Sequence, residues 1–239
     1  MTRRNRILAS LASAMILLLL AVGCSRITGS GKVVSTPVPV SSFFRLQVGS
    51  AFEVNVSISG QESLTLHVDD NVVDRVAVGV SNGTLHIGLK PRTLIQNATL
   101  KADVTARSLS SIETSGAAHV HLSNELTGSK VRIAASGASG TDGSVRFDEV
   151  DLSLSGASTA KLSGSAPRLV VSASGASDVN AQQLQSTDLT IDLSGASSAT
   201  VSVTGTVSAV VSGASHLRYQ GSPRFTKKDV SGASTVEPL

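Results

Sequence analysis

Val150-Asp151-Leu152-Ser153-Leu154-Ser155-Gly156-Ala157-Ser158-Thr159-Ala160-Lys161-Leu162 alternates apolar and polar residues, breaks at Ser-Gly-Ala, and alternates again. Period two on both sides of a three-residue break is strand, tight turn, strand. The same triplet begins at Ser115, Ser136, Ser155, Ser174, Ser194, Ser212 and Ser231, with spacings of 21, 19, 19, 20, 18 and 19 residues. Seven near-periodic copies mark a stacked array, in which each unit buries its apolar face against its neighbours.

Aligning the copies on the serine gives the faces. Five, three and one residues before it stand Val131/Ile133/Ala135, Val150/Leu152/Leu154, Leu169/Val171/Ala173, Leu189/Ile191/Leu193 and Val207/Ala209/Val211, fifteen apolar positions out of fifteen. Five residues after it come Val120, Thr141, Ala160, Val179, Ala199, Leu217 and Val236, which begin a second inward-facing strand in most copies. The glycines Gly116, Gly137, Gly156, Gly175, Gly195, Gly213 and Gly232 fit a turn that needs positive φ. The alanine that follows each predicts a small inward side chain at a narrow corner, with Ala176 facing the interior and Thr159 facing solvent. Coils stacked about 4.8 Å apart make the seven copies a rod of roughly 30 Å. The end copies break the apolar pattern at Ser110/Thr114 and Thr226/Lys228, and Lys227 and Lys228 place charge on a sheet edge.

Working outward from the repeats, residues 43–107 are also strand-like, as in Phe52/Val54/Val56/Ile58 and Leu64/Leu66/Val68. Asn82-Gly83 between two alternating runs predicts a type I′ hairpin, and Asn71 to Arg75 has room for one helical turn. The composition agrees: 41% hydrophobic but 3% aromatic, with 40 Ser and 21 Gly among 239 residues, suits a thin repetitive β core.

The formal charge of +3 resides in Arg3, Arg4 and Arg6; without them 17 Lys and Arg balance 17 Asp and Glu. No basic footprint for nucleic acid remains. Those arginines precede an apolar run, Ile7 to Val22, too short to span a bilayer comfortably and followed by Gly23-Cys24. Residues 1–23 read as a signal peptide, and Gly23-Cys24 resembles the bacterial lipobox, although Ala21 departs from its usual Leu. Cys24, the single cysteine, is then the lipidated N-terminus, anchored to a membrane. Residues 24–42, with Pro37 and Pro39, read as a tether running into an edge strand. Gly29-Ser30-Gly31-Lys32 is no phosphate loop, since Arg26 and Val33 stand where that motif needs Gly and Ser or Thr.

The chain resembles bacterial lipoproteins with the "putative autotransporter adhesin head GIN domain". The resemblance rests on Phe44-Arg-Leu46-Gln-Val48, Phe52-Glu-Val54-Asn-Val56, Asn82-Gly83-Thr84-Leu85-His-Ile87, Asp103-Val104, Leu109-Ser-Ser-Ile112 and the Ser-Gly-Ala turns. It implies a right-handed β-superhelix similar to pectin-lyase-like proteins and a role in adhesion, and it brings no catalytic residues.

Three constellations could carry chemistry. Asp142, Asp148, Glu149 and Asp151 are close in sequence, and Arg132 occupies the coil position of Asp151 one coil earlier, so ion pairs between coils compete with a carboxylate centre. His119 and His121 project to one side of a strand, but the alignment offers no third metal ligand, and a solvated pair is expected. Ser139, Ser158, Ser177, Ser197, Ser215 and Ser234 form a hydroxyl ladder, expected to satisfy turn amides rather than a ligand. No Gly-x-Ser-x-Gly elbow occurs.

The sequence thus predicts an all-β, parallel β-solenoid with coils of about 20 residues, filling 43–239 as one domain with its repeat coils in 108–239. It predicts an exported, non-catalytic, lipid-anchored adhesive or structural module of the cell envelope, without cofactor or metal. The alternative is a carbohydrate-binding or lyase-like β-helix. The membrane is the expected partner through the anchor; a glycan or protein surface and a homo-oligomer stay open.

Overall fold

The computed structural model describes residues 26–239. Nine strands precede the repeats: β1 (Arg26–Thr28), β2 (Val33–Val38), β3 (Arg45–Val48), β4 (Glu53–Ile58), β5 (Ser63–Asp69), β6 (Val76–Ser81), β7 (Thr84–Leu89), β8 (Leu94–Gln96) and β9 (Leu100–Ala106). The repeats add β10 (Ser111–Thr114), β11 (His119–Leu122), β12 (Leu126–Ala135), β13 (Gly140–Leu154), β14 (Thr159–Ser165), β15 (Arg168–Ala173), β16 (Asp178–Leu193), β17 (Ser198–Val211), β18 (His216–Gln220), β19 (Arg224–Val230) and β20 (Thr235–Pro238). A 3-10 turn at Val73–Arg75 occupies the predicted helical position. No helix among the described residues is long and apolar enough to cross a membrane.

The repeats form a parallel β-solenoid. Face one stacks the segments before each corner, in the order β7, β3, β10, β12, β13, β15, β16, β17, β19. Face two stacks the segments after it, in the order β9, β4, β11, β13, β14, β16, β17, β18, β20. Nine layers at about 4.8 Å give a rod of roughly 40 Å. All fifteen predicted inward positions on face one are buried, none more than 3% exposed. The core is mostly aliphatic, with Phe43, Phe52 and Phe147 as its buried rings.

The uneven repeat spacing has a local cause. Lys161 pairs with Asn180 but Ser163 with Gln183, so the coil after Ser174 carries one extra residue beyond its second strand. Ala181 pairs with Val201 but Gln185 with Ser202, a loss of three residues, and Asp188 with Thr206 regains one, so the next coil is shorter by two. Through this coil both faces keep their register, and the length change is absorbed as bulges in the connecting third side.

The corner differs from the expectation in one respect. The glycines adopt φ of +72° to +81° as predicted, and a Cβ on Gly175 would lie 2.5 Å from the Gly156 carbonyl oxygen. From Ala138 onward each alanine N–H donates to the glycine carbonyl one coil below, as from Ala176 to Gly156 at 2.7 Å. The alanine side chains, however, are exposed, Ala176 included. The inward residue is the following serine: Ser139, Ser158, Ser177, Ser197 and Ser215 are at most 2% exposed. The physical reason is the left-handed glycine, which turns the next Cβ outward. The serine tolerates burial because its hydroxyl donates to the carbonyl three residues back, from Ser139 to Ser136 and from Ser177 to Ser174, both at 2.8 Å.

An eighth corner lies outside the Ser-Gly-Ala repeat. The layer made by β3 and β4 is stacked between the β7/β9 layer and the β10/β11 layer, so stacking order departs from chain order. Its turn is Gly49-Ser50-Ala51, with Ser50 at φ 66° in the glycine's place and its carbonyl accepting from Ala117 N–H at 2.5 Å.

Antiparallel strands close the N-terminal end: β6 pairs with β7 through the predicted Asn82-Gly83 turn, and β5 pairs with β9 and with the edge strand β2. Within the segment expected to be a tether, β1 pairs with β8. Gly31 N–H donates to the buried Asp69 carboxylate at 3.0 Å, Ser30 Oγ to Asp70 at 2.6 Å, and Asn71 Nδ2 to the Thr28 carbonyl at 2.8 Å. Gly29-Ser30-Gly31 is therefore a clamp for the chain entry. At the other end a bulge opposite Val207/Ser208 puts Phe225 beneath the core column, with Tyr219 edge-on at 5.4 Å and the Lys228 ammonium 5.1 Å from its ring.

Candidate functional surface

The outward side of face two gathers the chemistry of the chain. Its first outward column begins with Lys101, Glu53, His119 and Gly140, and the second with Asp103, Asn55, His121 and Asp142. Strand alternation points both histidines of β11 outward, and parallel register sets Asp142 beside His121. Asp142 accepts from His119 Nε2 at 2.5 Å and from His121 Nδ1 at 2.6 Å. An ionised carboxylate only accepts, so both imidazoles use these nitrogens as donors.

Gly140 makes this clasp sterically feasible. A Cβ there would lie 2.8 Å from His119 Nδ1 and 2.6 Å from Thr159 Oγ1. The missing side chain leaves the gap across which His119 leans to reach the next coil. Partial burial raises the Asp142 carboxyl, but the hydrogen bonds and charge of His119 and His121 outweigh it and hold the group below the ordinary carboxylate value. Beneath the site, Thr141 Oγ1 is buried without a hydrogen-bond partner.

Shallow concavities run along the same face. One, of about 400 Å³, is lined by Asp142, Ser144, Lys161, Ser163, Asn180, Gln182 and Gln183. The extra residue between Asn180 and Gln183, opposite Lys161 and Ser163, sets the carboxamides of this concavity. Another lies between Glu53, Asn55, His119 and His121. Hydroxyls, amides and single charges make these surfaces suited to hydrogen-bonded contact with a polar partner.

The sequence-level acidic group does not converge. Glu149 sits between Lys130 at 2.7 Å and Arg168 at 3.5 Å, one coil to either side, and Asp151 meets Arg132 at 3.5 Å. Asp148 is exposed. These are cross-coil charge ladders on face one, remote in the register from Asp142 on face two. Among the described residues no set of three or more His, Cys, Asp or Glu side chains has metal-site geometry. His216, five coils along the first column, engages Thr235 at 2.9 Å.

A relay absent from the sequence reading crosses the N-terminal strands: Ser35 Oγ lies 2.8 Å from His67 Nδ1, and His67 Nε2 lies 3.0 Å from Asp103 Oδ2. Ser35 and His67 line neither concavity described above, and the relay is an exposed cross-strand ladder. The expected signal peptide and the expected lipidation site Cys24 lie outside the described residues. The seven repeat glycines all serve the corners.

A family profile described as "Putative auto-transporter adhesin, head GIN domain" matches residues 42–223. Three solved structures are similar in fold. A "putative adhesin" from Bacteroides fragilis is 23% identical, with TM-score 0.84, over 89% of this chain and 100% of that one. A "putative adhesin" from Parabacteroides merdae is 19% identical, with TM-score 0.75, over 90% and 99%. A "putative lipid binding protein" from Parabacteroides distasonis is 17% identical, with TM-score 0.74, over 90% and 100%. No curated protein matches the chain.

Proposed function

The chain belongs to the family described as "Putative auto-transporter adhesin, head GIN domain", and from that premise we propose that it is a non-catalytic adhesive module of the cell envelope, lipid-anchored through Cys24. The contact surface is the outward side of face two. The observation that carries this assignment is the concentration there of Asp142, Lys161, Asn180, Gln182 and Gln183 around one open concavity, whereas Glu149 and Asp151 of face one are tied into cross-coil pairs. Such a surface offers many weak polar contacts that add up when copies act together. Family membership supports the adhesive role, and the charged, apolar and small-residue order of residues 3–24 supports export and anchoring.

The test is adhesion of beads coated with the purified chain to immobilised glycans and matrix proteins. Adhesion lowered by Lys161→Glu and Gln183→Glu together, with unchanged thermal stability, supports this surface. Equal adhesion of variant and parent would place the contact elsewhere. Turnover of a polysaccharide panel, with or without Ca²⁺, would overturn the non-catalytic assignment.

A further inference from the structure

We propose that the corner carrying Arg26, Arg75, Lys90, Arg92 and Leu94 docks on an anionic lipid bilayer. This rests on the anchoring at Cys24 and adds an orientation to it.

Three observations converge on the corner. The first is reach. Arg26 already belongs to β1, in register with Leu94 of β8. Two residues carry the chain from Arg26 back to Cys24, a span of at most about 7 Å. A membrane anchor at Cys24 therefore holds this end of the rod against the headgroups.

The second is charge. From Arg75 to Ala102 the sequence contains no Asp or Glu, with Asp74 and Asp103 at its borders. Folding brings its basic residues together: Lys90 N–H donates to the Arg75 carbonyl at 2.8 Å, and Arg92 stands two residues before the Leu94–Arg26 pair. All four cations are exposed. Among the described residues none of them lies within 4.0 Å of a carboxylate oxygen, whereas Lys130, Arg132, Arg146 and Arg168 along the rod are each paired. Unpaired cations beside an anchor are what an anionic surface attracts, each adding roughly fivefold to the occupancy of the docked state.

The third is apolar. Leu94, in register with Arg26 and two residues after Arg92, is 48% exposed, and a side chain there can enter the headgroup boundary once the cations are seated. The clamp of Gly31 by Asp69 and of Thr28 by Asn71 fixes β1 on the body, so docking orients the whole rod and leaves β19 and β20 at the distal end.

The experiment uses the full chain carrying Leu94→Cys, purified from bacterial membranes, its mass read for acylation of Cys24, and labelled with an environment-sensitive dye. Val230→Cys is the distal control. Each protein is reconstituted into vesicles of equal parts phosphatidylglycerol and phosphatidylcholine, or of phosphatidylcholine alone. The expected result is a blue-shifted, headgroup-quenched dye at the Leu94 site in the anionic vesicles only, reversed by high salt and lost in the Arg26→Gln, Arg75→Gln, Lys90→Gln, Arg92→Gln variant. Each single change lowers the docked fraction ratio roughly fivefold. Equal dye signals in both vesicles, or no effect of the four substitutions, would overturn the proposal. A mass lacking the acyl group would overturn the anchor, and the dye comparison is then repeated in a Cys24→Ser background, where the introduced cysteine alone takes the dye and the corner is read separately from the anchor.

Discussion

The Ser177 hydroxyl donates to the Ser174 carbonyl oxygen at 2.8 Å, inside a corner whose Ala176 side chain points to solvent. This hydrogen bond explains why a polar residue recurs at a position that is 1% exposed at Ser177. Ser177→Ala should cost about 0.5–1.5 kcal/mol, because the first coil already holds Ala118 there, whereas Ser177→Leu should cost roughly 1–3 kcal/mol by overpacking. Ala176→Leu should stay within about 0.5 kcal/mol of the parent. Denaturation midpoints of the three variants decide it, and a loss confined to Ala176→Leu would reverse the assignment of inside and outside.

Gly175 combines φ +76° with a Cβ position 2.5 Å from the Gly156 carbonyl oxygen. Gly175→Ala should lose at least about 1–2 kcal/mol from left-handed strain alone. Gly79, which has open space around it, is the control, and equal midpoints for Gly175→Ala and Gly79→Ala would contradict the corner geometry.

Thr141 buries a hydroxyl with no partner at a position that Val120, Ala160 and Val179 fill with apolar groups. Thr141→Val should therefore raise stability by about 1 kcal/mol. A lower melting temperature for Thr141→Val would mean that the hydroxyl is satisfied in solution.

Asp142 lies below its ordinary value of 3.8, partial burial being outweighed by His119 and His121. A carboxyl depressed on folding stabilises the protein above its unfolded value, and that contribution is lost as pH falls through the folded value. The stability difference between the parent and Asp142→Asn should thus be present at pH 5 to 6 and shrink toward about pH 3. Urea titrations at these pH values check it, and a difference that grows on acidification would refute the clasp.

Much of this was legible before any coordinates. Counting from the serine of each copy gives the inward columns, and it also sets His121 and Asp142 at the same offset, six residues on, in adjacent coils. The clasp could have been found there; judging His119 and His121 by their own column alone hid it. The exposed alanines were not legible, because alternation is interrupted at a left-handed residue and a pattern of small side chains does not reveal which one turns inward. Gly49-Ser50-Ala51 escaped the repeat because Ser50 fills the glycine's place and its layer is inserted out of chain order. The Gly29–Lys32 clamp depends on Asp69, Asp70 and Asn71, some forty residues away, a contact that periodicity cannot report.

Adhesion by an anchored rod is tested most directly by measuring the attachment of cells that lack the gene and are complemented with the parent, with Cys24→Ser, or with Lys161→Glu and Gln183→Glu together. Attachment should return with the parent alone, while the secreted Cys24→Ser protein remains folded and β-rich. Equal attachment of all four strains, including the uncomplemented one, would contradict an adhesive role.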